Sequence, residues 1–111
     1  MSQFLLLLYS DPSGLHALSP DEMQKALQRY MDWRSKPFTL DGKRLAEDPG
    51  RLVRSVGGKP RASDGPYSET KEVLGGFYLI EAANYDEAVK LAMTNPGAEH
   101  GTIEVRQVYG T

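Results

Sequence analysis

The run Phe4-Leu5-Leu6-Leu7-Leu8-Tyr9 constrains the fold more than any other stretch, because its apolar side chains fall on both parities. An alternating strand can leave one face in water; a strand like this one must be covered on both. A helix is the competing reading, since leucine favours helices. The run is short, however, and Ser10-Asp11-Pro12-Ser13-Gly14 stops it with turn-forming residues. It reads as a buried strand. The same run is too short to span a bilayer, and it lacks the basic start of a signal peptide.

Downstream, Ser19-Pro20-Asp21-Glu22 opens a helix, with serine as cap, proline at the first position and a Ser-x-x-Glu capping box. Met23, Ala26, Leu27, Tyr30, Met31 and Arg34 recur at helical spacing, with Trp33 on the flank of the stripe, and Pro37 ends the helix. Phe38-Thr39-Leu40 reads as a short strand, Asp41-Gly42 as a turn, and Leu45 to Gly50 as irregular. Arg51–Val56 and Lys59–Ser63 flank Gly57-Gly58 and read as a hairpin. Gly75 to Glu81 is a strand, Asn84-Tyr85-Asp86-Glu87 opens a second helix, and Asn95-Pro96-Gly97 closes it. Thr102 to Tyr109 is the last strand, with Ile103 and Val105 on one face and Glu104 and Arg106 on the other.

This order predicts a ferredoxin-like α+β sandwich with an inserted β-hairpin, its two helices on one sheet face. The other face also carries apolar side chains. A second copy packed against it would close a dimeric α+β barrel, so a homodimer is expected. At 111 residues the chain fits one domain spanning its whole length and can bury a core without staples. Thirteen basic against 15 acidic side chains, with no block of one sign, argue against nucleic acid or an anionic membrane as the main partner while leaving room for a local basic patch. The absence of cysteine excludes thiol catalysis and disulfide scaffolding, and a cytoplasmic location is expected.

The richest polar stretch is Asp64-Gly65-Pro66-Tyr67-Ser68-Glu69-Thr70-Lys71-Glu72, followed by Leu74-Gly75-Gly76-Phe77-Tyr78-Leu79-Ile80. A rigid turn followed by clustered polar groups beside a core strand is how a scaffold presents a site. The stretch resembles the DGPF domain of the YCII-related proteins, whose pattern is Asp-Gly-Pro-Phe, an acidic-Thr-Lys-Glu segment and a Gly-Gly-aromatic strand. His100-Gly101-Thr102-Ile103-Glu104-Val105-Arg106 is similar to the family's closing segment, and Phe4–Tyr9 with Leu18–Met23 to its opening. Tyr67 stands where the family has phenylalanine, and Gln107 where it commonly has proline. The resemblance implies dimeric α+β barrels of ferredoxin-like halves. Some relatives are implied to be small enzymes with a His–Asp pair.

Asp64 and His100, both at strand ends, are the catalytic candidates as acid–base groups, His100 because an imidazole titrates in the useful range. The competing roles are turn capping for Asp64 and a backbone-bonded loop residue for His100. His16, in the loop before the first helix, is expected in solvent. Tyr67, Thr70, Lys71 and Arg106 are the ligand-binding candidates, although Lys71 and Glu72 also fit an ordinary solvated pair. Tyr9, Tyr78 and Tyr85 could stack on an aromatic ligand or pack in the core. Two histidines without ligand spacing predict no metal, and no organic cofactor is expected. Two functions follow. One is a small-ligand-binding dimer, with or without cofactor-free acid–base catalysis; the alternative is a non-catalytic accessory or regulatory module acting through dimerisation or a protein partner.

Overall fold

The computed structural model describes residues 1–68 and 70–111; Glu69, part of the acidic-Thr-Lys-Glu segment, lies outside the described residues. The chain folds as β1 (Ser2–Ser10), α1 (Pro12–His16), α2 (Pro20–Arg34), β2 (Thr39–Arg44), β3 (Arg51–Val56), β4 (Lys59–Asp64), β5 (Val73–Ala82), α3 (Tyr85–Met93), a 3₁₀ turn at Pro96–Glu99 and β6 (Gly101–Gln107). It is a mixed α/β domain. Four strands form one sheet in the order β2-β5-β1-β6, every neighbour antiparallel, and β3-β4 forms a separate two-stranded sheet.

The doubly apolar run sits where its composition demands, in an inner position of the sheet between β5 and β6. Its even-numbered side chains turn inward. Phe4 and Leu6 are fully buried and join Tyr78, Ile80 and Ala82 of β5, Ala88 and Ala92 of α3, and Trp33 of α2. Ile103 and Val105 of β6 pack against the same cluster, on the parity expected of them. The odd-numbered side chains of the same strands, Leu5, Leu7, Phe77 and Leu79, lie opposite one another in register on the other sheet face. They are only half-buried and lie outside the core cluster. Two long helices cover one face; the second face stays open.

Helix α2 starts as its sequence dictates. The Ser19 hydroxyl accepts from the Glu22 backbone N–H, and the Glu22 carboxylate accepts in return from the Ser19 N–H. Its inward stripe differs from the expected one. Met23, Ala26 and Tyr30 are half-buried, Met31 is largely exposed, and Trp33, expected on the flank, is the one buried residue of the helix. The indole packs edge-on against Tyr78 and Phe38, with centroids 4.8 and 5.1 Å away, and donates its N–H to the Thr94 hydroxyl at 2.9 Å. Two aromatic partners and a satisfied N–H outweigh the position that an ideal 100° spacing assigns.

Two other local readings are corrected. Pro12–His16 is a short helix, not loop: Asp11 caps it by accepting from the Ser13 N–H, just as serine before proline starts α2. Asp41-Gly42 lies within β2, not at a turn. A register shift between Thr39 and Asp41 accommodates it, and the Tyr78 ring fills the space beside Gly42, within 2.5 Å of where a Cβ would stand. The last strand also ends earlier than expected, at Gln107.

The hairpin forms with the expected turn at Gly57-Gly58, but it stands apart from the main sheet. Every residue of β3 and β4 except Leu52 is exposed, and among the described residues the hairpin makes no extensive contact with another element beyond its own pairing. The shape follows. A compact monomer of 12.3 kDa is expected to expose roughly 6,100 Å², whereas this chain exposes 8034 Å². Its radius of gyration is 15.8 Å, against about 13 Å for a compact chain of this length. The excess area belongs to an extended arm and an uncovered sheet face. Among the described residues no helix is long and apolar enough to cross a membrane.

Candidate functional site

The C-terminal end of β1, the start of β5 and the start of β6 meet at one end of the sheet, through the pairs Tyr9–Leu74, Ser10–Val73 and Tyr9–Thr102. Strand pairing therefore places three distant pieces of chain side by side. Tyr9, Thr70, Lys71, Glu72 and Thr102 line an open hollow of about 450 Å³ there. The Thr102 hydroxyl donates to the Glu72 carboxylate at 2.8 Å, and the Thr70 hydroxyl donates to the Glu72 carbonyl at 2.6 Å. The first bond holds the segment before β5 against β6, and the second fixes the segment's own turn.

A second set of bonds runs along the open face beside the hollow. Tyr9 donates its hydroxyl to Glu104 Oε1 at 3.2 Å, and the Arg106 guanidinium reaches Glu104 Oε2 at 3.3 Å. Register explains the grouping: Tyr9 pairs with Thr102, Leu7 with Glu104 and Leu5 with Arg106, so these side chains form rows on one face. Partial burial, then the hydrogen bond and charge of Glu104, push the Tyr9 phenol above its ordinary range. It stays a protonated donor at neutral pH. Beside the hollow, the Ser13 backbone N–H holds the Asp11 carboxyl below the usual carboxylate range, with the Lys71 ammonium contributing. The hydroxyl hydrogens of Tyr9, Thr70 and Thr102 are thus committed to Glu104 and Glu72, which among the described residues leaves the Lys71 ammonium as the hollow's donor and hydroxyl and carboxylate oxygens as its acceptors.

Of the residues singled out in the sequence, the fold brings Thr70 and Lys71 into the hollow and places Arg106 on the adjoining row. Asp64, Tyr67 and His100 stand elsewhere. Asp64 ends β4 and is exposed; His100 follows the 3₁₀ turn and is exposed immediately before β6. Among the described residues neither side chain makes a hydrogen bond. Tyr67 is 80% exposed and lies under the Arg54 guanidinium of the hairpin, 5.4 Å from the ring centroid. His16 is mostly exposed, with Nε2 at 2.6 Å from a Glu47 carboxylate oxygen. Tyr78 is core, and Tyr85 packs edge-on against Phe4 while its hydroxyl accepts from the Gln107 N–H. Only Tyr9 among the three tyrosines reaches the hollow. Thr102 carried no sequence signal of its own; alternation with Ile103, on the opposite face, is what could have found it.

The whole of residues 2–110 matches the YCII-related domain, and the chain belongs to that family. An uncharacterised protein of Rhizobium meliloti (strain 1021) is 33% identical over 111 residues, covering 93% of this chain and 89% of the relative. Among solved structures, the fold is similar to 5-chloro-2-hydroxyhydroquinone dehydrochlorinase from Burkholderia phenoliruptrix AC1100, determined in complex with 2,5-dihydroxybenzoquinone. The TM-score is 0.54 over 98% of this chain and 95% of that one, at 15% sequence identity.

Proposed function

We propose that this YCII-related chain is a homodimer that binds a small oxygen-rich molecule in the hollow at the end of its sheet. The observation that carries this reading is the convergence of Tyr9, Thr70, Lys71, Glu72 and Thr102, drawn from three separate parts of the chain, on one open space. The Lys71 ammonium, with the oxygen lone pairs of three hydroxyls and a carboxylate, suits a ligand that carries hydroxyl groups and one anionic or polarised oxygen. The likeness in fold to a protein holding a dihydroxybenzoquinone supports that ligand class by analogy alone. The second copy covers the half-buried Leu5, Leu7, Phe77 and Leu79, closing a dimeric barrel of two ferredoxin-like halves and walling the hollow from the side that is open in one chain.

If the dimer is an enzyme, proton transfer needs no organic cofactor: Asp64 and His100 are the acid–base pair of this reading, and His100 lies two residues before the hollow-lining Thr102. A non-catalytic accessory module acting through dimerisation or a protein partner is the second reading, and the exposure of the β3–β4 hairpin favours it. Thermal-shift titration with 2,5-dihydroxybenzoquinone as probe separates them. The wild-type chain should be stabilised, and Lys71→Ala with Thr102→Val should weaken binding by about tenfold or more through loss of a charged donor and of the hydroxyl that positions Glu72. Asp64→Asn and His100→Ala should leave binding in place while abolishing any turnover. A probe affinity that Lys71→Ala and Thr102→Val leave unchanged would sink the assignment of the hollow.

A further inference from the structure

We propose that the β3–β4 hairpin is a clasp that docks on the acidic remainder of a second copy of this chain; the inference rests on the homodimer proposed above. The hairpin needs a partner on physical grounds. A lone two-stranded hairpin is marginal in water, since neither face finds apolar cover. Here Val53 is 75% exposed and Val56 56% exposed, and among the described residues no other element of the same chain packs extensively on either strand.

Charge selects the occupant. From Arg51 to Asp64 the arm carries Arg51, Arg54, Lys59 and Arg61 against Asp64 alone, a formal +3. The whole chain carries −2, so everything outside the arm carries −5. Arg54 and Arg61 are directly opposed in register, a cross-strand pair of like charges that costs stability in the isolated arm and is relieved by a carboxylate-bearing partner. Outside the arm, Glu81 at the end of β5 and Asp86 at the start of α3 make no ion pair among the described residues, so the chain offers both sides of the contact. Complementary charge of this kind sets orientation and encounter rate. The area is sufficient as well. The arm and the open sheet face together account for the roughly 1,900 Å² that the chain exposes beyond a compact monomer, and a dimer that covers both exceeds the ~800 Å² per partner of a standard interface.

The chain has no cysteine, so Val53→Cys introduces a single thiol on the arm. Labelled with a benzophenone maleimide, a ¹⁵N-labelled and an unlabelled preparation are refolded together from urea, irradiated and digested. Mass spectrometry should find cross-linked peptides joining a heavy arm to a light body. Arg54→Glu, Lys59→Glu and Arg61→Glu together, all at exposed positions, should remove those products and raise the dimer dissociation constant by about tenfold at low salt. Sedimentation equilibrium is run on the same samples. Dimers without heavy–light products overturn the clasp and leave the homodimer standing; monomers throughout overturn both. Capture of a short DNA duplex by the arm, with no heavy–light product, would also overturn the clasp.

Discussion

Replacing Phe4 by alanine should lower stability by about 3–5 kcal/mol, read as a fall in the urea midpoint at fixed protein concentration. Phe4 is fully buried at an inner position of the sheet, and its ring stands edge-on to Tyr85 at 4.9 Å. Truncation removes the apolar burial, deletes the aromatic pair and leaves a cavity that β1 cannot close, because its backbone is hydrogen-bonded on both sides. Trp33, the sole tryptophan, is buried in the same core cluster and supplies the fluorescence signal. Since the proposed dimer links stability to concentration, the midpoint has to be compared at one protein concentration. A loss below about 1 kcal/mol would place Phe4 outside a well-packed core.

Gly101→Ala should be nearly as damaging, by about 3 kcal/mol, although it adds one methyl group at the sheet end. A Cβ on Gly101 would stand 2.0 Å from the Tyr9 carbonyl oxygen and 3.1 Å from the Ser10 Cα. Both obstacles are backbone, so no rotamer change relieves the overlap and the first pairs of the β1–β6 ladder have to separate. The same variant tests the site, because Tyr9 and Thr102 are held together by that ladder. Amide exchange should rise in β6 near Thr102 and not in the hairpin, whose pairing is independent. Uniform loosening of both sheets would contradict this account of the hollow.

What the sequence disclosed and what it concealed divide along physical lines. Features decided by neighbours in the chain were legible: the Ser19 capping box, the Gly57-Gly58 hairpin turn, the Asn84 cap of α3, and alternation in β5 and β6. The burial of Phe4 and Leu6 followed from a run apolar on both parities. Features decided by distant partners were not. Trp33 is drawn inward by Tyr78, Phe38 and Thr94, none of which lies beside it in α2. Asp41-Gly42, turn-forming by composition, is held in β2 by pairing with Leu79 and Tyr78 of β5. The site behaves likewise. Thr70 and Lys71 were legible as a polar cluster beside a strand, but their meeting with Tyr9 and Thr102 depends on a register that composition does not encode. Asp64 and His100 stood out chemically, yet no hydrogen bond draws either into the hollow among the described residues.

The uncovered sheet face bearing Leu5, Leu7, Phe77 and Leu79 is the surface a second copy has to cover. Sedimentation equilibrium of the wild-type chain across the micromolar range tests this most directly, with Leu7→Glu as companion because that side chain lies outside the core. The expected result is a dimer for the wild type and a folded monomer for Leu7→Glu. A wild-type chain that stays monomeric throughout, with that face in water, would contradict it.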